Sequence, residues 1–193
     1  MKLKTDLVIM GSGMAGISAA DAALARGKKV IVFEKKPYQG GAVSNCPIAY
    51  VSIRKDRAFQ NAAFHLLYEY SNYNANPSVI RQYVNNSWRT KEYIERLGIK
   101  MIPTQQLELE DIGDPKYADG FPPAVMAHGD FYLVPGRGKG HGGALICLNA
   151  MKDIIKRGGQ YMLNTPITDI LVDENGKVTG VKAVNNETKE EIE

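Results

Sequence analysis

Residues 6–41 read DLVIMGSGMAGISAADAALARGKKVIVFEKKPYQGG, and this stretch decides how the rest of the chain is interpreted. A short apolar run from Leu7 to Met10 predicts a strand that is buried on both faces. An alanine-rich segment follows and predicts a helix, and residues 30–33 form a second apolar run. This order of strand, helix and strand predicts a βαβ unit over residues 1–34.

Three glycines, Gly11, Gly13 and Gly16, connect the first strand to the helix in the spacing G-x-G-x-x-G. The first glycine permits a tight turn, the second lets the backbone approach a pyrophosphate, and the third lets the helix pack closely on the strand. The amide groups and dipole of the helix N-terminus favour an anion at the same place. We therefore predict a dinucleotide site whose phosphate loop consists of Gly11, Ser12, Gly13, Met14, Ala15 and Gly16.

Glu34 ends the second apolar run. An acidic residue roughly 20 positions past the glycines accepts hydrogen bonds from the adenosine ribose hydroxyls. The same carboxylate repels a 2′-phosphate, so NADP is disfavoured. Glycine-rich turns are common, but the register of strand, glycines, helix, strand and acid favours a dinucleotide site over an ordinary βαβ turn.

The residues after the second strand identify the dinucleotide by resemblance. The segments EKKP (34–37) and GGAVS (40–44) resemble the E-K-x-P…G-G-x-x-S pattern of FAD-binding flavoproteins, and they are most similar to the fumarate reductase/succinate dehydrogenase flavoprotein family. The resemblance implies FAD as the cofactor and a chain that passes under the pyrophosphate and along the flavin. It implies these further cofactor-binding residues: Lys35, Lys36, Gly40, Gly41, Ala42 and Ser44.

Two more features bear on how FAD is held. NTPI (164–167) resembles the family's n-T-x-V turn, whose last residue pairs its backbone with adenine, and this implies a role for Ile167. Membrane-bound succinate dehydrogenases attach FAD to a histidine in the loop after the acid, whereas no histidine occurs between Glu34 and Asp56 here. We therefore expect non-covalent FAD, with a thioether to Cys46 as the alternative. The segment NCPIAY (45–50) departs from the small-residue stretch of the family.

Composition limits the function classes. A chain of 193 residues with 44% hydrophobic content is long enough for one sizeable core, and a net charge of +3 gives no indication of nucleic-acid binding. The two cysteines, Cys46 and Cys147, form no C-x-x-C and are expected to be reduced thiols, with no metal. No stretch has the roughly 18 apolar residues of a membrane helix. Asp6 and Asp21 argue against a signal peptide, so a cytoplasmic location is expected.

The remainder of the chain predicts helices over residues 54–75, 76–97 and 144–157, a parallel strand at 161–163, and a β-meander over 170–193. Residues 35–53 and 103–141 are expected to be loops on the flavin side. Within the second loop, Arg137 and Lys139 either hold an anion or belong to a solvated segment, and His141 is a candidate proton donor by position only. The predicted fold class is α/β: one Rossmann-like FAD-binding domain over 1–193, with a parallel central sheet and helices on both faces. Residues 142–193 are expected to supply a helix, a strand and the small antiparallel meander.

In the family, a strand ending A-T-G-G, a capping domain and a C-terminal stretch follow the meander. The resemblance places the catalytic arginine and most substrate-clamping histidines in those parts, so no catalytic residue is assigned here. We therefore expect a fragment of a longer flavoenzyme, with a naturally short protein or a gene remnant as the alternative.

The function implied by the resemblance is that of an FAD-dependent oxidoreductase of the fumarate reductase type, which transfers hydride to or from an activated C=C bond. Its expected partners are a small carboxylate or enoate substrate and an electron-donor protein, with no nucleic acid and no membrane span. Two alternatives remain open. One is a non-catalytic nucleotide-binding or interaction module. The other is a related flavoenzyme, such as a steroid dehydrogenase, urocanate reductase or L-aspartate oxidase.

Overall fold

A computed structural model of the chain describes residues 1–45, 49–53, 55–103, 129–133 and 142–193. The chain divides into two compact units. Met1–Pro47 together with Gly138–Glu193 form the first unit, and Ile48–Arg137 form the second.

The described elements follow one another in this order: β1 (Leu7–Met10), α1 (Met14–Leu24), β2 (Val30–Phe33), a 3-10 helix (Gly41–Asn45), β3 (Ala49–Ile53), α2 (Arg57–Tyr70), α3 (Pro77–Asn86), α4 (Arg89–Arg96), β4 (Ile102–Pro103), β5 (Gly129–Leu133), α5 (Gly142–Lys156), β6 (Gln160–Met162), β7 (Ile167–Val172), β8 (Val178–Val184) and β9 (Glu191–Ile192).

The first unit contains a parallel sheet with the strand order β1-β2-β6. Leu7 of β1 is paired with Val30, and Ile31 of β2 is paired with Gln160 of β6. All four residues of the central strand β2 are buried. The predicted βαβ unit and the predicted parallel strand near residue 161 are therefore confirmed. The prediction that β1 is buried on both faces is wrong, because β1 lies at the edge of this sheet and only its Ile9 is buried.

The two faces of this sheet are covered differently. Ile31 and Phe33 pack in one cluster with Ala183 and Ile192 from the meander. Because side chains alternate along a strand, Val30 and Val32 point to the opposite face. Helix α1 packs against β1 and β2, and α5 packs against α1 and β6. Helices were expected on both faces of the sheet. Among the described residues, the meander instead covers the face of Ile31 and Phe33.

Glycine at position 16 is required by the packing of α1 on the sheet. A Cβ atom at Gly16 would overlap the carbonyl oxygen of Gly11 and would lie 3.3 Å from Cγ2 of Ile9. The close approach lets Ile17 and Ala20 of α1 become fully buried. The packing role predicted for the third glycine is confirmed.

The meander has the predicted strand order, β7-β8-β9, with antiparallel pairing throughout. Its first turn is held by Asp173, whose Oδ1 accepts hydrogen bonds from the amides of Asn175 and Lys177 at 2.9 Å each. Gly176 adopts a φ of 76°, which glycine permits at no steric cost. The second turn uses Asn185, whose Oδ1 accepts from the amides of Glu187 and Thr188.

The second unit contains an antiparallel sheet with the order β3-β5-β4. Loops were expected over residues 35–53 and 103–141. This expectation is wrong for residues 49–53 and 129–133, which form the strands β3 and β5. Residues 49–53 are paired with residues 129–133. Because the partner strand is far away in the sequence, no local turn signal marks either strand. One hydrophobic core cluster of this unit contains Ile53, Ala63, Ile80 and Val84.

Helix α3 begins where the sequence predicts it, whereas α2 begins at Arg57, three residues after the predicted start. Asp56 precedes α2 and accepts from the amide of Phe59 at 3.0 Å. Asn76 precedes α3 and accepts from the amide of Ser78 at 2.9 Å, with Pro77 as the first helical residue. The single helix predicted over 76–97 is instead two helices, α3 and α4.

The interruption between α3 and α4 falls at residues 87–88. Ser87 is buried there, and its hydroxyl oxygen accepts a hydrogen bond from the amide of Ile53 at 2.9 Å. This bond satisfies a backbone donor at the end of β3. Four residues that the sequence analysis singled out lie outside the described residues, namely Cys46, Arg137, Lys139 and His141. None of the described helices has the length and apolar composition needed to cross a membrane.

A charged group joins α1 to the C-terminal end of α5. The guanidinium of Arg157 donates through Nη1 to Oδ1 of Asp21 and, at 3.0 Å, to Oδ2 of Asp153. The three side chains are only 24–26% exposed. Partial burial reduces solvent screening, so these bonds are stronger than those of an exposed ion pair.

We expect Arg157→Met to lower the free energy of unfolding by about 1–3 kcal/mol, because it leaves two partly buried carboxylates without their charged donor. Lys91→Ala is the matched control, since it removes the more exposed pair of Lys91 with Glu95. An exposed pair of this kind contributes less than about 1 kcal/mol. Urea unfolding measures both variants, and equal losses would contradict the special contribution of Arg157.

Candidate dinucleotide site

A cavity of about 680 Å³ lies in the first unit, beside the carboxyl ends of β1 and β2. Ligands of open α/β sheets bind outside the carboxyl ends of the strands. Residues of both glycine segments line the cavity: Gly11, Ser12, Gly13, Gly40, Gly41 and Ala42. Glu34, Lys35, Lys36 and Ile167 complete the group of predicted residues that line it.

A hydrogen-bond network centred on Glu34 forms the wall of this cavity. Oε2 of Glu34 accepts from the amide of Ser12 at 3.0 Å and from its hydroxyl at 2.7 Å. Oε1 accepts from the amide of Lys36 at 2.9 Å. The hydroxyl oxygen of Ser12 in turn accepts from the amide of Gly40 at 2.9 Å. The network therefore connects the first glycine loop, the end of β2 and the second glycine pair.

The carboxyl group of Glu34 stays ionised at neutral pH although the residue is only 5% exposed. Burial alone would raise its pKa, but the hydrogen bonds from the Lys36 amide and from the amide and hydroxyl of Ser12 outweigh burial and lower the pKa. A carboxylate offers about four lone-pair positions, of which these three bonds use most. One acceptor position remains for a hydroxyl group of a ligand in the cavity.

The N-terminus of α1 provides the donors of the site. Gly13 is the N-cap, no side chain caps the helix, and its first turn contains no acidic residue. The first amides of a helix have no partner within the helix, and the dipole adds partial positive charge. This end of α1 therefore favours an anion beside the cavity.

Gly13 and Gly16 are required for different reasons. A Cβ atom at Gly13 would have as its nearest neighbour the carbonyl oxygen of Gly40, 4.0 Å away. The fold therefore has room for a side chain at position 13, whereas it has none at position 16. Because glycine has no side chain, the space next to the backbone at position 13 stays open, as a ligand phosphate would require.

The second glycine pair lies close to α5. Gly40 and Gly41 have φ angles of 88° and 53°, a region that favours glycine. A Cβ atom at Gly40 would come within 2.7 Å of Sγ of Cys147. A Cβ atom at Gly143, in the first turn of α5, would overlap the carbonyl oxygen of Val43. Close backbone packing therefore holds the 3-10 helix against α5.

Four of the predicted residues do not line the cavity: Met14, Ala15, Gly16 and Ser44. The hydroxyl of Ser44 donates to the carbonyl oxygen of Gln39, so it supports the loop locally. The sequence analysis did not select six residues that line the cavity: Met10, Phe33, Tyr38, Val43, Thr165 and Pro166. Thr165 and Pro166 directly precede Ile167 in the predicted turn, and Val43 lies within the segment GGAVS (40–44), so sequence position was an available signal for these three.

Two titratable groups of this unit are uncharged at neutral pH. Burial raises the pKa of the Cys147 thiol to about 11 and that of the Tyr161 hydroxyl to about 12. Cys147 is a free thiol, as the sequence predicts. A neutral thiol is a weak nucleophile, so its closeness to Gly40 indicates packing and not chemistry.

Comparison with known proteins identifies the class that this fold and site define. The family model described as "FAD binding domain" matches residues 6–193. The chain therefore belongs to the FAD-binding domain family of flavoproteins, and its cofactor is FAD. The predicted resemblance to fumarate reductase flavoproteins is confirmed.

The relatives are longer than this chain. It is 31% identical over 197 residues to NADH:fumarate oxidoreductase of Klebsiella pneumoniae (strain 342), an alignment covering 97% of this chain and 19% of that protein. Among solved structures, E. coli quinol fumarate reductase FrdA has a TM-score of 0.75 at 18% identity, covering 100% of this chain and 31% of that one. The 3-ketosteroid-delta4-(5alpha)-dehydrogenase of Rhodococcus jostii RHA1 has a TM-score of 0.71 at 16% identity, covering 97% and 43%. The two structural likenesses show a shared fold.

We expect Glu34→Gln to lower the free energy of unfolding by about 1–3 kcal/mol, because an amide cannot accept hydrogen bonds on both of its terminal atoms. The pKa of Glu34 is lowered in the folded chain, so its stabilising contribution is complete above the ordinary value of 4.5 and is lost as the pH falls through the folded pKa. Urea unfolding between pH 7 and pH 3 measures the difference in the free energy of unfolding between the unaltered chain and the Glu34→Gln variant. The difference should shrink below pH 4.5, and a constant difference would contradict a role for the ionised form.

Proposed function

We propose that this chain holds FAD for an oxidoreductase that transfers hydride to or from an activated C=C bond of a carboxylate substrate. The 31% identity to NADH:fumarate oxidoreductase over 97% of this chain is the observation that carries the proposal. The chain spans about a fifth (19%) of that relative, so the reaction is assigned to a protein that contains this chain.

The residues of the cavity suit the parts of FAD. The amide of Gly13, at the N-terminus of α1, would bind the pyrophosphate, with Gly11 providing the turn before it. The remaining acceptor position of Glu34 would take a ribose hydroxyl, and the backbone of Ile167 would contact adenine. Gly40, Gly41 and Ala42 would pass along the flavin side, with Lys35 and Lys36 next to the adenosine half. No histidine is among the described lining residues, and we propose that FAD is bound non-covalently.

Bound FAD supplies the chemistry of hydride exchange at its N5 atom. The residues of this chain bind and orient the cofactor, and the buried Ser12 and Glu34 keep the adenosine end of the cavity fixed. We assign no catalytic residue to the chain. The proton donor and the cationic group that holds a substrate carboxylate belong to the whole enzyme in this proposal.

Gly13→Val is expected to leave folding intact and to weaken FAD binding by about 100-fold or more, because the new side chain fills the space next to the pyrophosphate. Gly180→Val in β8 is the matched control. A Cβ atom there would make only an ordinary contact of 3.7 Å with Leu171, and Gly180 does not line the cavity. Isothermal titration with FAD measures affinity, and urea unfolding checks the fold. Unchanged FAD affinity in Gly13→Val would overturn the placement of the pyrophosphate.

The visible spectrum of the purified chain tests cofactor binding directly. Flavin bands near one FAD per chain, with free FAD released on denaturation, are the expected result and would establish non-covalent attachment. The reaction is tested by reoxidation of the reduced flavin with fumarate in a gene product that contains this chain. Reoxidation by a steroid enone and not by fumarate would replace the proposed substrate class. A protein that binds ADP and never acquires flavin would favour a non-catalytic nucleotide-binding module.

A further inference from the structure

A second polar cavity, of about 690 Å³, lies in the unit formed by Ile48–Arg137. It shares no lining residue with the FAD cavity. Three cations and three amides line it: Lys55, Arg57, Arg81, Gln60, Asn61 and Asn85. Among the described residues no carboxylate lines it.

The nearby acids do not neutralise these cations. The carboxylate of Asp56 is directed to the N-terminus of α2, where it accepts from the amide of Phe59 at 3.0 Å. Lys55 has Glu92 at 4.0 Å, with both side chains about two-thirds exposed at 65% and 64%, so this pair contributes little. Within the described part of the chain, neither Arg57 nor Arg81 makes an ion pair.

Arg57 is the first residue of α2, and the first turn contains no acidic residue. The helix dipole is compensated by the N-cap carboxylate of Asp56, which is directed to the amide of Phe59. The charges left for an anion in this cavity to compensate are therefore those of the side chains.

The guanidinium of Arg81 is already held in place. Its Nη1 donates to Oδ1 of Asn61 at 3.0 Å, and its central carbon lies 3.9 Å from the ring centroid of Phe64. A guanidinium has five N–H donors, so four remain after this bond. Because Asn61 uses its oxygen as acceptor, its NH₂ group is left to donate to a ligand. Preorganised donors reduce the ordering cost of binding.

We propose that this basic cavity binds a small multivalent oxyanion, a molecule that carries phosphate or carboxylate groups. Guanidinium groups bind both through paired hydrogen bonds, and the amides of Gln60 and Asn85 offer further donors. A single monovalent ion would leave most of the three positive charges uncompensated. The site is independent of the FAD site and of the proposed reaction.

Isothermal titration of the 193-residue chain with pyrophosphate and, separately, with citrate tests this proposal. We expect one site per chain for at least one probe, and the tighter probe distinguishes a phosphate from a carboxylate ligand. Arg57→Ala and Arg81→Ala should each weaken binding about tenfold or more, since each removes a charged hydrogen bond. Arg57 is exposed, so its variant tests the site without disturbing the core. Lys100→Ala removes an exposed cation that does not line the cavity, and it should change the affinity less than about twofold.

Gly13→Val separates this site from the FAD site, since it should lose FAD and retain the oxyanion. Loss of probe binding in Gly13→Val together with normal binding in both arginine variants would place the anion at the glycine loop and overturn the proposal. Failure of both probes to bind, or an equal loss in Lys100→Ala, would overturn it as well. None of these outcomes bears on FAD binding itself, which the visible spectrum tests separately.

Discussion

The buried carboxylate of Glu34 is the constraint on which the site depends. Placing a charge in a residue that is 5% exposed costs several kcal/mol unless hydrogen bonds replace the lost water. Three donors from Ser12 and Lys36 replace it here, and Ser12 lies 22 residues away in the sequence. The hydroxyl of Ser12 then extends the network to the amide of Gly40, which lies 28 residues after Ser12 in the sequence. The two glycine segments are therefore aligned with each other by the chain's own bonds.

This arrangement separates the folding role of a glycine from its binding role. Gly16 is needed because helix and strand approach closely, and Gly40 because its φ is positive and Cys147 lies beside it. Gly13 satisfies neither condition, because the space beside it is open. The glycine at this position is therefore not explained by packing, and it agrees with the proposed placement of the pyrophosphate. The G-x-G-x-x-G pattern thus combines packing and binding requirements in one short segment.

Local patterns in the sequence predicted much of the first unit. Apolar runs mark β1 and β2, and Asn175-Gly176 marks the turn of the meander, because these elements follow from neighbouring residues. The pairing of β3 with β5 was missed, since their partners are about 80 residues apart and no local signal connects them. The break between α3 and α4 falls at Ser87, whose hydroxyl accepts from the amide of Ile53, a long-range bond that the helical periodicity does not contain. In the site, the sequence predicted that Glu34 is a ligand-binding acid. The three hydrogen bonds that its carboxylate accepts from Ser12 and Lys36 became visible only in the structure.

The similar solved structures carry names that refer to different substrates, and at 16–18% identity the likeness is one of fold. FrdA and the ketosteroid dehydrogenase share the fold of this chain with TM-scores of 0.75 and 0.71. The glycine loop, the Glu34 network and the turn at Ile167 offer contacts that suit a pyrophosphate, a ribose and an adenine. All of these groups belong to the cofactor and are the same whichever bond the flavin reduces. In the proposed function this domain binds the shared cofactor, and substrate choice would rest on residues that do not line this cavity.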